Sequence, residues 1–348
     1  MAAITPAQIK ELRERTAAGM SDCKNALVEA EGDIEKAVEV ILKKGLVKAA
    51  ARAGKVAAEG EVSTWVSADG KKGVIVEVNC QTDFVARGED FKSFVKSVTD
   101  VASKLDKGAD LAALVSQPFP GSTKTIDVVR QDAVGRIGEN IVIRRWQALE
   151  APSAAGLVHA YVHMGGKLAV LVAAEAPTEA LKSNPDFKAF IENVSMQIAA
   201  MRPIVVRKEE VDQATVAKQK EIFQAQLKEE LDGAIARIAE LKAGGHDLSE
   251  ADLKAEMKAA EARKGPPEAM WPKVIDGKVS KWFNEVTLLG QDNVWEPALG
   301  TIEKIRAELG KKLGGEVKLT SFVRFELGEG IEKKVENLAD EVAKTIGA

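Results

Sequence analysis

Residues Gly73–Phe91 read GVIVEVNCQTDFVARGEDF, and the way this stretch changes character organises the whole chain. Its first eight residues, Gly73–Cys80, are an apolar, β-branched run of strand length. The run passes into a polar turn that carries an aromatic side chain, Phe84, beside Asp83. A loop tip is where a phenylalanine buries least, so its presence there asks for an explanation. Upstream, GEVSTWVS (Gly60–Ser67) is a second strand, and the intervening ADGKK contains Asp69-Gly70, a strong two-residue hairpin signal. Helices are expected over about Asp90–Leu105 and Thr125–Ile137, after which NIVIRRWQAL (Asn140–Leu149) returns as a strand.

The same order recurs further on. GLVHAYVHM (Gly156–Met164) and KLAVLVAAE (Lys167–Glu175) are joined by a tight Gly165-Gly166 turn. A helix is expected over about Glu179–Ala200, ending before Pro203. A strand is expected near Val286–Gly290 and a helix near Thr301–Leu313. EVKLTSFVRFELGEG (Glu316–Gly330) holds the natural closing strand, and a final helix is expected from Ile331. Two related α+β subdomains with antiparallel sheets follow from this repetition.

Residues 1–55 have a helical period instead. Thr5-Pro6 supplies an N-cap and a proline at the first helical position, with Ile9, Leu12 and Thr16 inward. The helix breaks at Gly19. Ser21 then caps a second helix with Ala26, Leu27 and Ala30 inside, and a third runs from about Ile34 to Lys44. Lys43, Lys44, Lys48, Arg52 and Lys55 follow with no acid among them, either as a solvated linker or as a contact for an acidic partner. The stretch from Val206 to about Arg263 is rich in Glu, Lys, Ala and Gln and has no strand pattern. Val216, Phe223, Leu227, Leu231, Ala234, Ile238 and Leu241 mark one face of a long helix that ends at Gly244-Gly245. Ser249 with Asp252 starts a second helix, and a third runs from Pro267 to about Phe283 with Pro272 as an early break. This is an inserted arm, either a plain helical insertion or a dimerisation or docking surface. The organisation is thus 1–55, 56–150, 151–205, 206–284, 285–328 and 329–348.

Several functions lack support in these residues. With 348 residues, 45% apolar, 29% charged and a net charge of −4, the chain has no global basic field for nucleic acid. The longest apolar runs, such as LAVLVAA (Leu168–Ala174), are too short to span a bilayer. The opening MAAITPAQIKELRERT has no signal-peptide core, and Cys23 and Cys80 form no CxxC, so the expected setting is the cytoplasm. No phosphate-binding glycine loop is present. His159 and His163 share a strand without a third ligand, His246 lies in the turn of the arm, and Cys80 at a strand end reads as a small buried residue. Neither a metal nor a cofactor nor a catalytic group is expected.

Five stretches in order, ELRERTAAGMSDCKNAL (Glu11–Leu27), VNCQTDFVAR (Val78–Arg87), IGENIVIRR (Ile137–Arg145), SMQIAAMRP (Ser195–Pro203) and VRFELGEGIEKK (Val323–Lys334), resemble the bacterial elongation factor Ts family. The resemblance covers nearly the whole chain. It implies an N-terminal three-helix, ubiquitin-associated-like bundle, a two-part α+β core, a coiled-coil arm and a C-terminal helix. It also implies a guanine-nucleotide exchange factor, not an enzyme, whose partner is the GTPase elongation factor Tu. In that family the loop corresponding to Thr82, Asp83, Phe84 and Val85 enters the GTPase near its nucleotide and disturbs the magnesium and phosphate contacts. Further contacts implied by the resemblance are Arg13, Gly19, Met20 and Lys24 in the bundle, Ile137 and Gly138, and His163. Met20, Gly138 and His163 also have structural readings, as bundle core, helix stop and strand residue. The segment around Asp232–Arg263 departs from the family pattern. This leaves open a homodimer or 2:2 complex through the arm. Two other readings compete: an interaction scaffold that leaves nucleotide untouched, and an RNA-binding accessory protein using Lys43–Lys55.

Overall fold

A computed structural model describes residues 4–16, 18–244 and 248–332, side chains 46 and 48–50 aside. Of the final helix expected from Ile331, residues 333–348 lie outside the described residues, as do Gly245 and His246; Ile331 and Glu332 are not helical. The chain divides into two compact units, one of residues 1–200 with 312–348 and one of residues 201–311.

The first unit begins with three helices, α1 (Pro6–Thr16), α2 (Met20–Glu29) and α3 (Ile34–Arg52). They close around Leu12, Cys23, Ala26, Leu27 and Ala37. Two boundaries differ from the sequence expectation. Helix α2 starts at Met20 with Gly19, not Ser21, at the cap, because the first helical bond runs from the Cys23 N–H to the Gly19 carbonyl (2.9 Å). Helix α3 continues through the basic stretch to Arg52, since Lys, Ala and Arg are all good helix formers. Most of the basic residues therefore sit on a helix, not on a linker.

Strands β1 (Glu59–Val66) and β2 (Lys72–Cys80) form the expected hairpin, turned at Gly70 with φ +69°. Short helix α4 (Asp83–Arg87), α5 (Glu89–Ala102), α6 (Leu111–Val115) and α7 (Ile126–Ile137) precede β3 (Val142–Glu150), which pairs antiparallel with β2. One face of this sheet, Val74, Val76, Val78 and Cys80, packs on Phe91, Phe94, Val95 and Val98 of α5 and on Ile126 and Val134 of α7. The other face, with Val62 and Ile75, packs on Val158, Ala169, Leu171, Val323 and Phe325 of a second sheet. Strand β2 is covered on both faces, which is why it reads as a continuous apolar run instead of an alternating one. The second sheet repeats the topology: β4 (Gly156–His163), β5 (Leu168–Glu175) and β6 (Lys318–Glu326), all antiparallel in the order β4-β5-β6. Helix α8 (Pro185–Met201) buries Phe187, Phe190, Ile191, Val194 and Ile198. The single helix expected over Glu179–Ala200 is split. Asn184 interrupts it by accepting the N–H groups of Asp186 (2.9 Å) and Phe187 (3.3 Å), so a 3₁₀ turn at Glu179–Ser183 precedes α8.

The second unit carries the arm: α9 (Gln213–Ala243), α10 (Glu250–Arg263) and α11 (Trp271–Val286), followed by α12 (Ile302–Leu313). Helix α11 packs on the first half of α9 through Leu227, Trp271, Ile275 and Val279, with Phe223 and Trp282 beside them. Helix α10 packs on its second half through Ile238, Leu241 and Ala260. Arg237 of α9 bridges Glu240 and Glu256 (2.8 and 3.2 Å) across that pair. Pro272 does not break α11 but sits in its first turn, where its missing N–H has no bond to lose. The strand expected at Val286–Gly290 is not formed. Helix α11 runs to Val286, Thr287 makes one isolated bridge to Val205, and Leu288–Gly290 is a 3₁₀ turn. Short apolar runs are ambiguous between the two states, and here burial of Leu288 accounts for the pattern.

Candidate partner-binding site

At the end of β2 the chain turns through Gln81 and Thr82 into α4, so the TDFV segment is a capped helical turn, not an open loop. Thr82 occupies the cap with extended backbone (φ −121°, ψ 153°), and its Oγ1 accepts the Val85 N–H (3.3 Å). Five residues are too few to be helical alone. They are held by burial of Ala86, by Val85 against the core of the first sheet, and by Gly88, which ends α4 and starts α5. Phe84 is left pointing outward and is 82% exposed. Asp83 lies beside it, its carboxylate paired with Arg87 one turn on (2.8 Å).

Thr82 is fixed from a second direction. Its N–H donates to Glu139 Oε2 (3.0 Å) and its hydroxyl to Glu139 Oε1 (2.7 Å). Below it, the Cys80 thiol donates to the Thr82 carbonyl (3.2 Å). Burial, reinforced by the Glu139 and Glu59 carboxylates, pushes that thiol up to about 12, so it is no nucleophile. Among the described residues no cluster of three or more His, Cys, Asp or Glu side chains is arranged to hold a metal. This end of the first unit presents an exposed aromatic ring, a carboxylate in an exposed ion pair, and a backbone held by hydrogen bonds.

Residues 81–329 match the family model described as elongation factor TS. The chain is 41% identical over 345 residues to elongation factor Ts of Clostridium perfringens, covering 99% of each. It is 40% identical over 346 residues to elongation factor Ts of Nautilia profundicola, covering 99% of this chain and 100% of that one. The chain belongs to the elongation factor Ts family.

The other residues expected from the elongation factor Ts resemblance fall in three places. Ile137 and Gly138 end α7, immediately before Glu139, and so are brought beside Thr82 by its clasp. Ile137 is half-buried against the core, and Gly138 is the left-handed residue that stops α7 (φ +83°). His163 is exposed near the tip of the β4–β5 hairpin, its Nδ1 within 2.9 Å of the Tyr161 hydroxyl. That hairpin is tied to the same end of the first sheet. The Val62 N–H donates to Gly166 (2.7 Å), and Lys167 pairs with Glu59, which lies opposite Cys80. Arg13, Gly19, Met20 and Lys24 are exposed on α1 and α2, Met20 being 62% exposed and not part of the bundle core. Gly19 also lines a cavity of about 620 Å³ between the bundle and α5 and α7. Sequence reasoning in the elongation factor Ts frame missed Glu139 and Asn140. The signal was within the quoted IGEN segment, where an acid and an amide directly follow a helix stop.

Proposed function

We propose that this chain promotes release of GDP from the GTPase elongation factor Tu by inserting Asp83 and Phe84 near the nucleotide and its magnesium, so that GTP can replace GDP. The observation that carries the reading is Phe84: a large apolar side chain, 82% exposed, on a backbone tied down on both sides. An exposed, pre-positioned aromatic loses little conformational freedom when it docks, so more of its burial energy reaches the complex. A GDP-bound GTPase holds its ligand through backbone donors, a lysine and magnesium on the phosphates. Weakening those contacts requires only that the exchange factor bind better to the nucleotide-free conformation. Asp83 can leave Arg87 for a partner group at little cost, since exposed ion pairs contribute only about 0–1 kcal/mol. By linkage, nucleotide rebinding expels the factor to the same degree that the factor expels nucleotide, so turnover needs no covalent step.

On this reading the chain binds no nucleotide itself and acts in the cytoplasm. The three-helix arm is the surface for any homodimer or 2:2 complex. No helix among the described residues is long and apolar enough to cross a membrane.

The test is release of a fluorescent GDP analogue from elongation factor Tu, with the chain and with Phe84→Ala. Losing burial of about 1.5–3 kcal/mol corresponds to a release rate lower by about 10- to 150-fold. Rapid release with both proteins would keep the exchange activity and move the mechanism to Asp83, the bundle or His163. Absence of release with the unsubstituted chain would overturn the proposal.

A further inference from the structure

We propose that Glu139 is a positioning residue for exchange, clasping Thr82 so that α4 presents Phe84 in one orientation; this rests on the reading of Phe84 as the inserted side chain. The last residue pair joining β2 to β3 is Asn79 opposite Val142. Beyond it the two chains continue alongside each other, but no backbone ladder joins them. Side chains take over instead, and they do so reciprocally. Gln81 Oε1 accepts the Asn140 N–H (3.1 Å), and the Glu139 carboxylate accepts the Thr82 N–H (3.0 Å). The ladder is thus extended by two side-chain acceptors at the point where one chain must leave the sheet and become helical.

Every polar group of Thr82 is engaged there. Its N–H and hydroxyl donate to Glu139, its Oγ1 accepts from Val85, and its carbonyl accepts from Ala86 (3.2 Å) and the Cys80 thiol. Two of these bonds depend on one carboxylate, and bonds to a charged acceptor are the stronger kind. Without them, the backbone at the cap is free to rotate and the five-residue helix loses its start.

The clasp has a fixed base. Asn140 is 3% exposed, and its Nδ2 donates to the carbonyls of Lys55 (2.9 Å) and Ala53 (3.3 Å), just past α3. Gly138 sets the direction in which the chain leaves α7. Glu139 is therefore held by its neighbours and acts on Thr82, not the reverse. The same dipeptide also ties down the exit of the N-terminal bundle, so Phe84 and the bundle share one anchor.

The experiment uses the full chain with Glu139→Ala and Glu139→Gln. A glutamine can still accept the Thr82 N–H and donate to Oγ1, so it is the conservative variant. Hydrogen exchange is read first, because it requires no partner. In Glu139→Ala the Thr82 and Val85–Gly88 amides are expected to exchange about tenfold faster while β2 and α5 keep their protection. GDP-analogue release from elongation factor Tu is then measured against factor concentration. Glu139→Ala is expected to lower the maximal rate about tenfold and to leave the half-saturating concentration within about twofold, with Glu139→Gln restoring most of the rate. Unchanged exchange at 82 and 85–88, loss of protection throughout β2 and α5, or a half-saturation shift with an unchanged maximal rate would each overturn the proposal. If the unsubstituted chain releases no GDP, it is the exchange function that fails, and the hydrogen-exchange result still decides whether Glu139 holds α4.

Discussion

Glu77→Ala removes a carboxylate from the middle of β2 that has no solvent exposure. The side chain lies on the face that meets the second sheet, and it accepts four hydrogen bonds. These come from Arg145 Nε (2.5 Å), Arg144 Nη1 (2.9 Å), the Gly328 N–H (2.9 Å) and Asn79 Nδ2 (3.2 Å). Arg145 is held further by lying 4.1 Å from the Phe325 ring centroid and by donating to the Glu326 carbonyl (3.1 Å). Alanine leaves the Gly328 N–H and the buried Asn79 amide without an acceptor, removes the counter-charge of Arg144, and leaves Arg145 with Glu329 (3.3 Å) as its remaining carboxylate. Removing one partner of such a buried network costs about 3–5 kcal/mol. The two arginine side chains are 26% and 31% exposed and recover some water, so the lower end of that range applies. Glu77→Gln keeps the volume but turns an amide N–H toward a donor, for about 1.5–3 kcal/mol. Urea unfolding followed by circular dichroism and tryptophan fluorescence measures both. With a urea slope of about 3 kcal/mol/M, a loss of about 3 kcal/mol lowers the midpoint by about 1 M. Glu14→Ala is the control, since Glu14 makes only an exposed pair with Lys10 at 3.8 Å. If Glu77→Ala shifts the midpoint no further than Glu14→Ala, the assignment of Glu77 as the charge that joins the two sheets is refuted.

The same residue sets an acid limit. Burial pushes the Glu77 carboxyl up, but the donors of Gly328, Arg144 and Arg145 outweigh it and hold it below its ordinary 4.5. A depressed carboxylate stabilises the fold fully above that ordinary value and loses its contribution as pH falls through the folded value, so wild-type and Glu77→Gln stabilities should converge below pH 4.5. At the α3–α7 crossing, a Cβ added to Gly135 would lie 2.8 Å from the Gly45 Cα, whereas one on Gly45 meets open space. Gly135→Ala must part the helices by about 0.7 Å at about 1–3 kcal/mol, while Gly45→Ala should be neutral or gain up to about 1 kcal/mol. Tryptic cleavage at Arg52 and thermal unfolding compare the two, and equal behaviour would refute the close approach. Cys80, with its thiol pushed up to about 12, should resist iodoacetamide at pH 8 in the folded chain and react fully in denaturant. Peptide mass spectrometry reads this, and labelling in the native state would contradict the burial.

Much of the fold is legible without coordinates. Asp69-Gly70 and Gly165-Gly166 mark two hairpins, and the apolar runs around them give the strands. The arm declares itself by residues three, four and seven apart. Errors cluster where two local preferences compete. Val286–Gly290 carries β-branched and apolar residues that suit a strand, yet it forms the end of α11 and a buried turn. The basic stretch reads as linker because it lacks an apolar face, yet it prolongs α3. Phe84 and its neighbours could be singled out by residue type and family resemblance. That TDFV is a capped helix could be read from Thr82 preceding Val85 by three positions, a spacing that is local.

Interactions between residues a few positions apart account for the helical periods, the strand alternation, the caps and the glycine turns. These set the elements, the two repeated sheets and the arm. Which groups meet over long separations depends on packing instead. Glu139 reaches Thr82 across 57 positions, and Glu77 reaches Gly328 across 251. No periodicity records such pairs, because each residue is chosen for a partner that only the packing of sheet on sheet and helix on sheet brings within hydrogen-bond distance.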